Sequence, residues 1–216
     1  MERETFLALL RQHRAIAVIR APEVALGVRL AEAAAAGGIR LIEITWNSAH
    51  PAQLVEQLSQ QLPHCHIGIG TALSIADVKD AVGAGAQFCF CPHTDSALID
   101  LAHSLQTPIV PGALTPNEIV TAWQAGATAV KIFPIGAMGG ASYIRSLQGP
   151  LAQIPLIPTG GVTVANAGEM VQAGAIAVGL STSLFPPAAV ENEEGSTVTQ
   201  LATQLVNQLR AIAPHP

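Results

Sequence analysis

Short β-branched runs alternate with Ala/Leu-rich stretches of helical spacing along the whole chain, the pattern expected when parallel strands are joined by crossover helices. Eight strand-like runs stand out, at 16–20, 39–45, 66–70, 87–91, 107–110, 128–133, 154–158 and 175–180. Helices are expected between them, for instance at 24–36, 51–61, 74–83, 116–125 and 164–173, and two more should flank the series at 2–13 and 198–211. The join before a strand repeats as "AAGGIRL", "GAGAQFCF", "QAGATAVKI" and "QAGAIAVGL". Each join sets a glycine where a helix ends, a position that favours positive φ. Eight such βα units close a barrel, so the predicted fold class is α/β, a (β/α)8 TIM barrel with an extra N-terminal helix, residues 1–216 forming one domain. An open doubly wound sheet competes, but it needs a reversal of strand order that this regular series does not announce. The stretch "PPAAVENEEGS", 186–196, reads as a surface loop.

Composition narrows the partners. The 216 residues are 50% hydrophobic and 12% charged, with a net charge of −5 and ten Lys plus Arg in no basic run, which argues against nucleic acid. No apolar stretch reaches the roughly 18 residues of a membrane span. The start, "MERETFLALLRQHR", lacks the uninterrupted apolar centre of a signal peptide. The expectation is a soluble, cytoplasmic protein, with no membrane partner. Cys65, Cys89 and Cys91 form no C-x-x-C pair and suit reduced thiols. Cys89 and Cys91 alternate along one strand face and read as small buried hydrophobes. "HCH" at 64–66 raises a metal, but alternate residues at a strand start rarely converge and no carboxylate lies close in sequence, so no metal is expected.

In a barrel the chemistry sits at the carboxyl ends of the strands, and these ends are polar here: Arg20, Glu43 and Thr45, Thr71, "PGALTPNE", Lys131, "TGG" and "GLSTS", with Pro92 closing strand four. Lys131 is one of only two lysines, the other being Lys79, and it lies inside the apolar run "AVKIFPIGAMGG". Strand alternation places it with Ala129 and Phe133, opposite the branched pair Val130 and Ile132 that suits packing against helices. Lys131 should therefore point into the lumen, and by the same count so should Glu43, with Leu41 and Thr45. A buried structural ion pair is the plain alternative. Burial that lowers a lysine pKa yields an amine nucleophile, which favours a Schiff base on a substrate ketone with Glu43 moving the protons. That chemistry calls for no cofactor. "PTGGVT", 158–163, leaves backbone N–H groups unscreened ahead of a helix expected near Val164. With the end of strand eight, this is where barrels commonly hold phosphate. A tight βα turn needing glycine is the alternative there.

These residues resemble the 2-keto-3-deoxy-6-phosphogluconate (KDPG) and 2-keto-4-hydroxyglutarate (KHG) aldolases, class I enzymes built as trimeric TIM barrels. The resemblance runs from "IAVIR" to "VGLSTSLF", and its most specific pieces are "GIRLIEIT", "IGIGTALS", "VPGALTPNE", "VKIFP" and "IPTGGV". It implies a 2-keto acid phosphate as substrate, a Schiff base on Lys131, acid/base work by Glu43, and Thr71 holding the pyruvyl portion. It further implies Pro92 and Phe133 beside the substrate, with Gly160, Gly161 and Thr182 on the phosphate. A homo-oligomer, a trimer, is the implied assembly. Three departures stand out. Asn47 in "TWNS" replaces an arginine that binds the substrate carboxylate in many members, so the carboxylate falls to Arg20. "CPH", Cys91 to His93, stands for the common "SPG", and Ser181 with Thr182 for the usual "GS". The "NS" at 47–48 and "GASYIRSL" are similar to the branch that cleaves the C4 epimer, 2-keto-3-deoxy-6-phosphogalactonate, so both epimers stay open. A phosphosugar isomerase, a thiamine-phosphate-type barrel or a non-catalytic phosphosugar sensor would share "TGG" without needing Lys131.

Overall fold

The computed structural model describes residues 1–192 and 194–213. Nine strands and ten α-helices alternate along these residues. They run α1 (Arg3–His13), β1 (Ala15–Ile19), α2 (Val24–Ala36), β2 (Leu41–Thr45), α3 (Pro51–Gln61), β3 (His66–Gly70), α4 (Ile75–Gly83), β4 (Cys89–Phe90), α5 (Ser96–Ser104) and β5 (Ile109–Val110). The second half continues with β6 (Gly112–Ala113), α6 (Pro116–Gln124), β7 (Val130–Ile132), a 3-10 turn (Ile135–Met138), α7 (Ala141–Leu151), β8 (Leu156–Pro158), α8 (Ala167–Gln172), β9 (Val178–Leu180), α9 (Pro187–Glu191) and α10 (Gly195–Arg210). All strand pairs are parallel.

One sheet runs β5-β4-β3-β2-β1-β9 and the other β6-β7-β8. The two meet at both margins. Thr159 just after β8 bridges Gly179 of β9, and β6 continues β5 across Pro111. Proline has no N–H to give the ladder, so the fifth barrel strand is written as two pieces. The eight-membered ring expected from the sequence is thus closed, with β5 and β6 sharing one place.

Two apolar clusters match the alternation of the strands. Val130, Ile132, Ile42 and Ile44 face the helix layer, whereas Ile16, Val18, Leu41, Phe88, Phe90, Val110, Ala129 and Ile157 fill the lumen. Helix α1 plugs the amino-terminal end of that lumen with Phe6, Leu7 and Leu10, and the Phe6 ring stacks on Phe88 at 4.8 Å. The four repeated joins all take left-handed glycines, with φ of 98° at Gly38, 95° at Gly85, 97° at Gly126 and 110° at Gly174. Capping boxes open α4, through Ser74 and Asp77, and α6, through Thr115 and Glu118.

Several expected bounds change. The fourth strand is Cys89–Phe90 rather than 87–91, and the strands expected at 107–110, 128–133, 154–158 and 175–180 are likewise shorter. Helix α8 starts at Ala167 rather than near Val164, because residues 163–166 form a turn in which Asn166 Oδ1 accepts from the Thr163 N–H at 2.7 Å. The stretch 186–196 is not all loop: Pro187–Glu191 is helical, and α10 begins at Gly195. Among the described residues no helix is long and apolar enough to cross a membrane.

Candidate active site

Lys131 sits on β7, hydrogen-bonded in register between Gly112 of β6 and Ile157 of β8, and is only 5% exposed. Its Nζ makes no hydrogen bond among the described residues. It lies 5.9 Å from the centroid of the Phe90 ring and 5.1 Å from that of Phe133. Both rings offer their faces to the amine or to a cation formed from it.

Glu43 enters the lumen from β2, between Val18 of β1 and Gly68 of β3. It is 1% exposed, and its Oε1 is buried with no hydrogen-bond partner among the described residues. Burial raises its pKa above the ordinary carboxylate value, opposed first by the positive charge of Lys131 and then by that of Arg20. The carboxyl can therefore hold a proton and release it, as an acid/base group must. Glycine on β3 makes the space: a Cβ at Gly70 would meet Glu43 Oε1 at 1.7 Å.

The mouth residues gather around this pair. Arg20 follows β1, is exposed, and donates from Nε to Asn47 Oδ1 at 3.2 Å. Thr71 follows β3 with φ of 61°, a left-handed conformation costly for a β-branched residue, and its hydroxyl has no partner among the described residues. Such strain is commonest at functional sites. Pro92 is half-buried after β4, and its carbonyl would meet a Cβ placed on Gly112 at 2.4 Å, so the fourth and fifth strand ends are in direct contact. Phe133, 38% exposed, forms one wall.

Gly160 and Gly161 take consecutive positive φ of 75° and 99°. A side chain at 160 would strike the Phe133 ring at 2.9 Å, and one at 161 the backbone of Gly136 at 2.8 Å. The turn is held by Asn166, whose Nδ2 donates to the Gly161 carbonyl at 3.2 Å. Thr182 is exposed beyond β9, beside this turn through the Thr159–Gly179 bridge. The Val164 N–H, however, already donates to Ser183 Oγ at 3.0 Å, so the amide expected to open a helix toward a ligand is occupied.

The structure brings every candidate to one mouth, and adds residues the sequence reading passed over. Phe90 could have been found by the alternation that puts Cys89 and Cys91 outward. Asn166 carries no such signal, since its role depends on the way its own loop folds back on Gly161 and Thr163. Cys89 and Cys91 are buried in the outer cluster, and burial pushes their thiols up, that of Cys91 to about 12. At the other end of the barrel, His66 Nδ1 pairs with Gln87 Oε1 at 2.8 Å and Cys65 Sγ donates to the Ile39 carbonyl.

Residues 7–201 match the family of KDPG and KHG aldolases. The chain is 30% identical over 200 residues to the 2-dehydro-3-deoxy-phosphogluconate aldolase of Pseudomonas aeruginosa, covering 93% of this chain and 91% of that one. Among solved structures it is similar to a KDPG aldolase from Legionella pneumophila captured with pyruvate as a covalent carbinolamine, with a TM-score of 0.86 at 28% identity over 93% of this chain and 97% of that chain. It is also similar to a native KDPGal structure, with a TM-score of 0.82 at 30% identity over 91% and 94% of the two chains.

Proposed function

The chain belongs to the KDPG and KHG aldolase family, and from that premise we propose that it is a class I aldehyde-lyase that works through an imine on Lys131. Its substrate is 2-keto-3-deoxy-6-phosphogluconate, cleaved to pyruvate and glyceraldehyde 3-phosphate. The smaller 2-keto-4-hydroxyglutarate, cleaved to pyruvate and glyoxylate, suits the same reaction. The observation that carries the reading is a lumenal amine with no hydrogen-bond partner among the described residues, beside a buried carboxyl whose proton affinity is raised.

Nζ adds to C2 of the keto acid, and loss of water leaves an iminium. Glu43 takes the C4 hydroxyl proton as the C3–C4 bond breaks, the electron pair passes into an enamine, and the aldehyde departs. Glu43 returns a proton to C3, and water then hydrolyses the iminium to free pyruvate and the lysine. Arg20 holds the carboxylate, Thr71 the pyruvyl end, Pro92 and Phe133 the flanks, and Gly160, Gly161 and Thr182 the phosphate. A homotrimer fits this reading. Among the described residues four large apolar side chains are exposed, Leu73, Ile75, Phe133 and Met138, and at least Leu73 and Ile75 lie outside the proposed pocket and offer apolar surface to a second copy.

Pyruvate with borohydride tests the imine. Intact mass and peptide mapping should show one reduced adduct, at Lys131. Labelling of the exposed Lys79, or none, would overturn the mechanism.

A second reading, cleavage of the C4 epimer, is favoured by Asn47, whose amide stands at the mouth with its Oδ1 accepting from Arg20, and whose N–H groups have no hydrogen-bond partner among the described residues. Asn47→Arg should shift the ratio of kcat/KM between the gluconate and galactonate epimers. An unchanged ratio would remove Asn47 from the choice of epimer.

A further inference from the structure

The loops after β1 and β2 are fastened together by a short ladder. Arg20 Nε donates to Asn47 Oδ1 at 3.2 Å, the Ala21 N–H donates to Ser48 Oγ at 3.1 Å, and the Ala49 N–H donates to the Ala21 carbonyl at 2.9 Å. The turn carrying Asn47 closes on itself where the Ser48 N–H donates to the Thr45 carbonyl at 2.9 Å. Ser48 Oγ also lies 3.2 Å from Thr45 Oγ1. Ser48 is 8% exposed and Thr45 1%, whereas Arg20 and Asn47 are exposed.

We propose that Ser48 is a positioning residue for substrate recognition, its buried hydroxyl setting the spacing at which Asn47 pins Arg20 in the mouth. The inference rests on the reading of Arg20 as the ligand of the substrate carboxylate. Arg20 has Asn47 as its one hydrogen-bond partner among the described residues, so without it the guanidinium is free to swing into solvent. Asn47 in turn sits on a turn whose one buried side-chain tie is Ser48. Residues 20 and 21 adjoin on one loop and 47 and 48 on the other, so a shift of Ser48 against Ala21 is a shift of Asn47 against Arg20. Thr45 ties the ladder to the strand that carries Glu43, two residues away on the same inward side. The clasp therefore fixes the carboxylate ligand relative to the acid/base group. Proximity of the two is also visible in the pull of Arg20 on the Glu43 carboxyl.

Steady-state kinetics on a double-mutant cycle test this, with Arg20→Ala, Ser48→Ala and the double variant measured on the phosphorylated keto acid, and thermal unfolding recorded for each. Arg20→Ala should raise KM by roughly tenfold or more, as loss of a charge-assisted contact does. Ser48→Ala should raise KM several-fold to roughly tenfold with kcat within about twofold, because the amine and carboxyl are untouched. In the Arg20→Ala background the Ser48 effect should vanish, which a merely structural loss would not do. Ser48→Thr, which keeps the hydroxyl, should restore KM, and Ser48→Cys, a poor acceptor of similar bulk, gives an intermediate value if the alanine variant does not fold. Additive effects, or a fall in kcat with KM unchanged, overturn the positioning role. An Arg20→Ala variant with wild-type KM overturns the Arg20 reading itself, and the two failures are distinguishable.

Discussion

Glu43 is a carboxyl that the barrel holds in an unfavourable place, the one the proposed acid/base role requires. Its Oε1 is buried without a partner among the described residues, and burial raises its pKa despite Lys131 and Arg20. A native state that binds a proton more tightly than the unfolded chain is most stable below the ordinary carboxylate value and loses stability as pH rises through the raised one. Glu43→Gln removes that loss. The variant should melt above the wild type at alkaline pH, and the gap should close below about pH 4.3. Its kcat should fall by about 10² to 10⁴ with a much smaller change in KM. Melting curves across pH together with steady-state rates check both halves, and a wild type that melts higher at pH 8 would show that Lys131 more than offsets the burial. Lys131 and Glu43 were legible from the sequence because period-two alternation is a strict rule and a lone lysine among branched apolar residues breaks its pattern. The Arg20–Asn47–Ser48 contacts were not, since they join loops whose meeting no periodicity encodes.

At the scale of elements, β3 is where the strand sequence is cut to fit the site. "HIGIG" puts Ile67 and Ile69 outward and turns Gly68 and Gly70 inward. A Cβ at 68 would meet the Phe88 ring at 2.2 Å, and one at 70 the Glu43 carboxyl at 1.7 Å. The two glycines therefore make separate predictions. Gly68→Ala should cost about 1–3 kcal/mol of stability by overpacking the lumen floor, with activity per folded molecule kept. Gly70→Ala should instead displace Glu43 and cut kcat by at least about tenfold, while imine trapping with pyruvate survives. Denaturant unfolding and kcat on the same preparations separate them, and equal activity losses would mean that the lumen responds as one packed unit. Bounds of α2 and α3 agree with the reading of their apolar spacing, since helices of 13 and 11 residues carry several turns of signal. The strands read too long because composition does not show where the ladder begins, and α8 starts late because hydrogen bonds in the Asn166 turn, rather than any pattern, hold the residues before it.

For the whole molecule, the proposed function assigns the two ends of the substrate to different strand ends, so that variants at those ends should report on the carboxylate and the phosphate separately. Arg20 and Thr71 follow β1 and β3, and Gly160, Gly161 and Thr182 follow β8 and β9, adjoining arcs of the ring because β9 pairs with β1, and Lys131 lies on β7 next to β8. This ordering was legible because eight βα units fix which strand ends are neighbours. The local form of the phosphate side was not, since Ser183 takes the Val164 N–H and α8 starts late. Thr182→Ala should therefore weaken phosphorylated substrates by roughly ten- to a hundredfold, the scale of one hydrogen bond to a charged group, and leave pyruvate binding alone. Gly161→Ala should do more, because φ of 99° and the backbone of Gly136 leave no room for a Cβ, and the turn must move as a whole. Arg20→Ala should weaken pyruvate and phosphorylated substrates alike, since both carry the carboxylate. Pyruvate proton exchange and cleavage kinetics, measured side by side on the three variants, read the two ends independently. Losses on pyruvate for Thr182→Ala, or pyruvate binding spared by Arg20→Ala, would mean that the substrate lies the other way across the barrel.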